Sequence, residues 1–172
     1  MLLKKIQLLL LILIVFSACE LDDSVEFESS TASTQYSVSS QLDNGFSFET
    51  MKVINDSSDL ISSSDFIVFQ QLGEKGELLS PFLVQPLLKS SYALAKQFSN
   101  LDDAKQYYDA YNTFSDSGLK FEYTAIPVKP FQLWVVKTDT NQYGKILISG
   151  TSSSDNANLP VAVVNFYAKL IE

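Results

Sequence analysis

The chain has 172 residues, 46% of them hydrophobic, and carries 20 acidic against 12 basic side chains, for a formal net charge of −8. It contains no histidine, no arginine and one cysteine. Ser-His-Asp and Cys-His nucleophilic sites, a histidine-ligated zinc and an arginine phosphate clamp are therefore excluded. After Lys5 the lysines are scattered singly, so the clustered basic patch that nucleic acid requires is missing.

The N-terminal stretch is typical of an export signal. Lys4 and Lys5 precede an unbroken apolar run at 8–16, and the small residues Ser17 and Ala18 follow it. This run of nine apolar residues is too short to span a bilayer, which needs about 20. We therefore expect residues 1–18 to be removed as a signal peptide.

The four residues Phe16, Ser17, Ala18 and Cys19 resemble the lipobox of bacterial lipoproteins, although that family usually has leucine in place of Phe16. The resemblance implies cleavage before Cys19, a diacylglyceryl group on its thiol and acylation of its new amine. Cys19 is the only cysteine, so it has no disulfide partner within the chain. Two or more acyl chains on one residue hold a protein stably on a membrane. The alternative is an ordinary signal peptide followed by a leftover thiol.

The residues after Cys19 bear on its destination. Glu20 occupies the position after the cysteine, at which an aspartate tends to retain lipoproteins in the inner membrane. The acidic stretch 20–28 looks like the export tag of Bacteroidota-type surface lipoproteins. The resemblance implies an outer-membrane lipid anchor at the cell surface, with a periplasm-facing anchor as the alternative. Loss of Lys4 and Lys5 with the signal takes the net charge from −8 to −10. This acidity keeps the domain off an anionic membrane, so the lipid is the expected anchor.

Residues 19–44 are predicted to form a lipidated flexible tether, because serine, threonine, glutamine and acidic residues predominate. The alternative is an edge strand at 35–41, where Tyr36 and Val38 alternate with polar neighbours. Residues 45–172 are predicted to form a single globular β-rich domain.

Apolar runs predict about six strands in this domain. The first run, 46–54, includes Phe46 and Met51, and the continuous run at 65–71 indicates a buried central strand. The segment 78–88 is expected to be extended but irregular, because its two prolines lack ladder donors. Further strands are predicted at 121–125, 131–138, 143–149 and 161–171, with a hairpin joining the second and third of these and polar loops at 55–64 and 151–158.

One main helix is predicted at 101–114. Leu101, Ala104 and Tyr108 recur at helical spacing, and Asn100 can cap the first turn. A further helical turn is predicted at 92–98. The fold class is therefore α+β, mainly β, with an antiparallel sheet or sandwich and one main helix.

Carboxylates are the groups left for acid–base chemistry. A pair such as Asp65 and Glu122 would serve glycoside cleavage only if the two acids faced each other at about 5 to 9 Å, and no motif places them together. A calcium loop beginning at Asp139 fails, because Gly150 stands where a bidentate acid is needed. We predict no catalytic residue, no metal site, no cofactor and no enzymatic activity.

Aromatic residues are the remaining candidates for ligand contact, although aromatic side chains in strands more often form the core. Trp134 and Tyr143 are the candidates for an aromatic platform. Met51, the sole methionine after removal of the signal, is a third candidate, with core packing as the alternative.

The order of elements is similar to that of the HmuY-like haem-binding lipoproteins of Bacteroidota. The similarity is carried by a strand at Phe46, the segment Ser64 to Phe66, and a hairpin from Val135 to Thr138 that turns into Gln142 to Ile146. It implies a β-rich surface lipoprotein over residues 46–171 that captures haem. The histidines of that family do not carry over, because this chain has none. Met51 is the candidate thioether ligand in a related arrangement.

The expected function is that of an outer-membrane or cell-surface lipoprotein with a non-catalytic domain that binds a small molecule, glycan or protein. The alternative is a structural or accessory envelope lipoprotein that packs on an outer-membrane partner. A pocket lined by tyrosine or Trp134 would favour the first function, and a flat apolar patch the second. The expected partners are the membrane, through Cys19, and an outer-membrane protein or small-molecule ligand, but no nucleic acid.

Overall fold

A computed structural model describes residues 33–56, 58–113, 118–156 and 159–171. These residues form two antiparallel sheets of five strands each, with two helices. The first sheet has the strand order β1 (Gln35–Ser39), β10 (Leu159–Ile171), β9 (Tyr143–Asn156), β8 (Gln132–Lys137) and β6 (Ser91–Gln97). The second has the order β3 (Lys52–Ile54), β2 (Gly45–Ser47), β4 (Phe66–Leu72), β5 (Leu78–Val84) and β7 (Thr124–Ala125). The helices are α1 (Leu60–Ser63) and α2 (Leu101–Ala110). The predicted class, α+β and mainly β, is confirmed.

A core of aromatic and branched side chains joins the two sheets into a sandwich. The ring of Phe166 on the first sheet lies 5.1 Å from that of Phe46 and 5.2 Å from that of Phe66 on the second. All three side chains are fully buried. Gly144 lets Phe48 join this core, because a Cβ at Gly144 would overlap the Phe48 ring. Gly144 thus has a packing role.

The hairpin of β8 and β9 forms as predicted, with Leu133 opposite Leu147 and Lys137 opposite Tyr143. The prediction of a loop at 151–158 is wrong for the described residues 151–156, because β9 continues to Asn156. The serines there have weak strand propensity, but their backbone pairs with β10 at the register of Ser153 and Ala162. Backbone pairing does not depend on the polarity of these side chains.

The helical turn predicted at 92–98 is also wrong, because these residues form β6 at the edge of the first sheet. Alanine, leucine and lysine favour helix locally. The pairing of Ala93 with Val135 and of Leu94 with Trp134 overrides that preference. The strand predicted at 121–125 is confined to β7, with one bridge between Glu122 and Tyr92.

The single strand predicted at 46–54 is divided into β2 and β3, which pair as a hairpin with Phe46 opposite Val53. The chain reverses at 48–51, where Met51 has a left-handed backbone with φ of 52°. The loop predicted at 55–64 contains the short helix α1.

The predicted tether extends too far along the chain. Gln35–Ser39 form β1, which pairs with β10 and buries Val38 in the core, so the edge-strand alternative is correct for these residues. The alternation of apolar and polar side chains outweighs the disorder-favouring composition here. Cys19, the predicted signal peptide and the rest of the predicted tether before residue 33 lie outside the described residues.

Helix α2 begins at Leu101 as predicted, and the side chain of Asn100 accepts a hydrogen bond from the Asp103 amide at 2.9 Å. It ends at Ala110 rather than 114, and residue 114 itself is outside the described residues. The helix packs on the outer face of the first sheet through a second apolar cluster, whose buried members are Ala104, Tyr108, Leu133, Leu147 and Tyr167. Neither α1 nor α2 has the length and apolar character to cross a membrane, and no other described segment forms such a helix.

Candidate functional site

An open groove of about 640 Å³ lies at the end of the sandwich where the β8–β9 hairpin turns. We call it the end groove. More of its exposed lining is apolar than polar. Its lining residues are Met51, Asn141, Gln142, Tyr143, Lys169, Leu170 and Ile171.

Met51 reaches the end groove from the second sheet. It occupies the turn between β2 and β3, is partly buried and packs against the main core. Its left-handed backbone is uncommon outside glycine, asparagine and aspartate, so the turn holds Met51 in a restricted conformation. A flexible thioether side chain here can adapt to the shape of a ligand while remaining in contact with the core.

Tyr143 reaches the same groove from the first sheet. It is the first residue of β9, is half-buried and lies in register between Lys137 and Ile171. Its ring centre is 6.1 Å from that of Phe121 and 5.8 Å from the Lys137 amine. These neighbours fix one side of the ring.

Lysines give one side of the end groove a positive charge. Lys169 lines the groove, is exposed and has its amine 3.4 Å from Oδ1 of Asn112. Lys145 lies opposite it on β9 but is fully buried. Burial, together with the nearby charge of Lys169, lowers the pKa of Lys145 to about 8. Lys169 is thus the charged residue of the lining, and the Lys137 amine lies beside the Tyr143 ring.

Trp134 lies apart from the other two predicted ligand contacts. Only 5% of it is exposed, and its indole Nε1 donates to Gln132 at 3.0 Å. It forms part of a second cavity of about 440 Å³ between the edges of the two sheets, which we call the edge cleft. The edge cleft is lined by Tyr92, Leu94, Lys120, Glu122, Thr124, Ile126 and Trp134.

The proposed carboxylate pair does not meet in one site. Glu122 lines the edge cleft, where it is ion-paired with Lys120 at 2.5 Å. Asp65 lines a separate polar cavity of only about 50 Å³ together with Glu49 and Asp139. No group of at least three acidic side chains among the described residues is placed to hold a metal ion.

Asp65 has a structural environment that accounts for its burial. One carboxylate oxygen accepts the Phe48 amide at 2.7 Å and the other accepts the Ser90 hydroxyl at 3.3 Å. Burial raises the pKa of this carboxyl, and the two hydrogen bonds oppose the rise. Asp65 therefore ties β4 to the turn after β2.

The sequence predicts Met51 and Tyr143 as candidate ligand contacts by residue type, but it does not single out Lys169 and Ile171, which line the same groove. The two missed residues belong to an alternating strand and carry no motif. Leu94 of the edge cleft is not predicted, because the local sequence favours a helical turn where β6 forms. Ile126 is not predicted, because it lies just beyond the strand expected at 121–125. Ile126 precedes Pro127, and a proline tends to end a strand. An apolar residue at such a strand end could have marked Ile126 as a candidate for the lining.

Comparison with known proteins gives no match to this chain among family models, curated proteins or solved structures.

Proposed function

We propose that the protein is an outer-membrane lipoprotein, anchored through Cys19, whose globular domain binds a small ligand in the end groove without catalysing a reaction. The observation that carries the proposal is that Met51 and Tyr143, from different sheets, line one open and mostly apolar groove. Its volume of about 640 Å³ falls within the roughly 300 to 1,000 Å³ of small-molecule sites.

The lining indicates the chemistry of the ligand. Met51, Leu170 and Ile171 offer an apolar surface, and Tyr143 offers an aromatic one. Lys169 is the charged residue of the lining, and Lys137 lies beside Tyr143. A molecule with a flat apolar body and an anionic group fits this combination in a protein that is otherwise strongly acidic.

Anilinonaphthalene sulfonate, which has an apolar aromatic body and one anionic group, is a suitable probe. We expect the mature chain bearing Cys19→Ser, which carries no lipid, to bind it saturably with increased probe fluorescence. Tyr143→Ala should weaken binding about tenfold, which is the loss of about 1.4 kcal/mol. Tyr123→Ala, at an exposed tyrosine outside the groove lining, is the matched control. Equal affinities of Tyr143→Ala and Tyr123→Ala for the probe would show that it does not bind in the end groove.

The anchor is tested separately. Wild type expressed in a diderm bacterium should incorporate labelled palmitate and sediment with outer membranes, because several acyl chains give stable anchoring. Cys19→Ala should incorporate no label and leave the membrane fraction. Unchanged labelling and fractionation of Cys19→Ala would contradict lipid anchoring at this residue.

Haem is a second candidate ligand. The thioether of methionine and the phenolate of tyrosine both ligate haem iron in proteins, and Met51 and Tyr143 line the same groove. Haemin added to the mature chain should then shift its Soret band, and Met51→Leu should change the shift while Tyr123→Phe leaves it intact. Absence of a Soret shift in wild type would exclude haem without affecting the proposal for other anionic apolar ligands.

A further inference from the structure

The outer face of the second sheet, which points away from the core, exposes a pair of aromatic rings. Side chains of a strand alternate between its two faces. Val68 on β4 and Leu83 on β5 belong to the core, so the neighbouring Phe69 and Phe82 lie on the outer face, directly opposite each other. Their rings are stacked with centres 5.5 Å apart. Phe69 is 42% exposed and Phe82 is half-buried.

Ile126 extends this pair towards the edge of the sheet. Ala125 on β7 belongs to the core and lies opposite Leu83, so the next residue, Ile126, lies on the outer side next to Phe82. Ile126 is 43% exposed and also reaches the edge cleft. We call the row of Phe69, Phe82 and Ile126 the outer stripe.

The adjacent row of the same face is covered by the fold itself. Ile67 lies on this face beside Gly45 and is only 9% exposed. A Cβ at Gly45 would overlap the Cβ of Ser64, the residue that ends α1. The chain around α1 therefore packs on this row and leaves the outer stripe open.

The strands that carry the outer stripe have no charged side chain. None of the residues in β4, β5 and β7 is aspartate, glutamate or lysine, although the whole chain has a net charge of −8. Two copies that met at this face would bring together two bodies of the same charge, which disfavours association. A zwitterionic lipid surface has no net charge and does not repel the domain in this way.

The proposed anchor keeps such a surface within reach. Cys19 and Ser33, the first described residue, are 14 positions apart. The chain between them can span at most roughly 50 Å. A domain tethered at this distance meets the surface at a high effective concentration, so a small apolar contact area is enough for docking.

We propose that the outer stripe docks the domain on the lipid surface to which Cys19 anchors it, with the rings of Phe69 and Phe82 among the lipid headgroups. This inference rests on the proposed anchor but not on ligand binding in the end groove. Aromatic and aliphatic side chains are stabilised at the boundary between headgroups and acyl chains. Neither ring lines the end groove or the edge cleft, so an extended surface fits the stripe better than a small molecule does.

Vesicles that contain a brominated lipid test the docking. The chain from residue 19 onward has one cysteine, which a maleimide lipid couples to phosphatidylcholine vesicles, so the result does not depend on acylation in a cell. Trp134→Phe removes the only tryptophan of the chain, and Phe69→Trp then places one in the stripe. We expect bromine on the acyl chains to quench the emission of this double variant. Tyr107→Trp in the same background, at an exposed position on α2, is the matched control and should not be quenched.

Further variants show whether the stripe itself makes the contact. Phe82→Ser, added to the Phe69→Trp protein, should reduce the quenching several-fold, whereas Leu159→Ser, at an exposed leucine of the first sheet, should not. Circular dichroism checks that each variant is folded. Tyr143→Ala should leave the quenching unchanged, which separates docking from ligand binding in the end groove.

Two results would overturn the proposal and leave ligand binding in the end groove unaffected. The first is equal quenching, or none, for Phe69→Trp and Tyr107→Trp. The second is an uncoupled chain that forms dimers which Phe69→Ser abolishes, without quenching on vesicles, because the stripe would then bind a second copy instead of lipid.

Discussion

The outer face of the first sheet has two parts that differ in what covers them. Under α2, Leu133, Leu147 and Tyr167 are buried in the second apolar cluster. On the same face, four residues further along each of these strands, Tyr143 lies between Lys137 and Ile171 beside the end groove. The two parts belong to the same three strands, so the difference comes from where the helix ends.

Lys145 lies between these two parts, on β9 midway from Leu147 to Tyr143. Its amine donates to the backbone carbonyls of Tyr108 and Tyr111, the latter at 2.6 Å, and lies 3.3 Å from Oδ1 of Asn112. A cation at the C-terminus of a helix is favourable, because the last carbonyls have no partner within the helix. We infer that Lys145 fixes the end of α2, so that the covered part stabilises the fold and the uncovered part remains open to a ligand.

The largest expected effect is on the covered part. Leu133→Ala should lower the free energy of unfolding by about 2 to 5 kcal/mol, because a fully buried leucine loses its contacts and leaves a cavity. Tyr143→Ala should cost less than half as much, since its ring is only half-buried. Urea unfolding monitored by circular dichroism measures both. Equal losses would mean that the two parts do not differ in their structural role.

Removal of the Lys145 amine, which binds the last carbonyls of α2, should have the next largest effect on the free energy of unfolding. Lys145→Met keeps most of the side-chain volume but leaves carbonyls unsatisfied, which should cost about 1 to 3 kcal/mol. Amide hydrogen exchange should become faster in the last turn of α2. Lys169→Met is the control, because this lysine is exposed and its change should stay within about 0.5 kcal/mol. A similar loss in both variants would contradict the role given to Lys145.

The same lysine predicts a pH dependence. Its pKa is about 8 in the folded chain and 10.5 ordinarily, so between these values the unfolded chain binds more protons and stability rises with pH. Burial raises the pKa of Tyr92 and Tyr108, which makes stability fall above about pH 10 in all variants. The difference in stability between wild type and Lys145→Met isolates the lysine. A difference that does not change from pH 8 to 10 would show that its pKa is not lowered.

The smallest expected effect concerns Asp65, the buried carboxyl next to β4. Its contribution to stability changes with pH in the opposite direction to that of Lys145. The pKa of Asp65 is raised above its ordinary value of 3.8, so its contribution to stability falls as pH rises above that value. Asp65→Asn can keep both hydrogen bonds, by accepting from Phe48 and donating to Ser90. Its stability at neutral pH should equal or exceed that of wild type by up to about 1 kcal/mol. A marked loss of stability would show that the charge itself is required.

The elements that could be predicted are those whose signals are local. The position of α2 follows from its helical stripe and the Asn100 cap, and the β8–β9 hairpin follows from two apolar runs around a polar turn. Strand β6 and the end of β9 could not be predicted, because their residues favour helix or loop and only distant partners make them strands. Their pairing with β8 and β10 is a property of the tertiary fold.

The end groove was predictable only in its residue types. The sequence marks Met51 and Tyr143 as candidate ligand contacts, but 92 positions separate them along the chain. The β2–β3 turn and the start of β9 bring them together. Trp134 has the same aromatic character, yet it lies at the edge cleft, because its strand position faces the core between the sheets.

The central claim, that the uncovered end of the sandwich binds a ligand, is tested most directly at Met51. The chain has two methionines, and Met1 belongs to the predicted signal peptide, so an isotope-labelled methionine methyl group in the chain from residue 19 onward gives one NMR signal, assignable by Met51→Leu. We predict that anilinonaphthalene sulfonate shifts the Met51 signal in proportion to its saturable binding, through the ring current of the nearby probe. Saturable binding with an unmoved Met51 signal would contradict the claim.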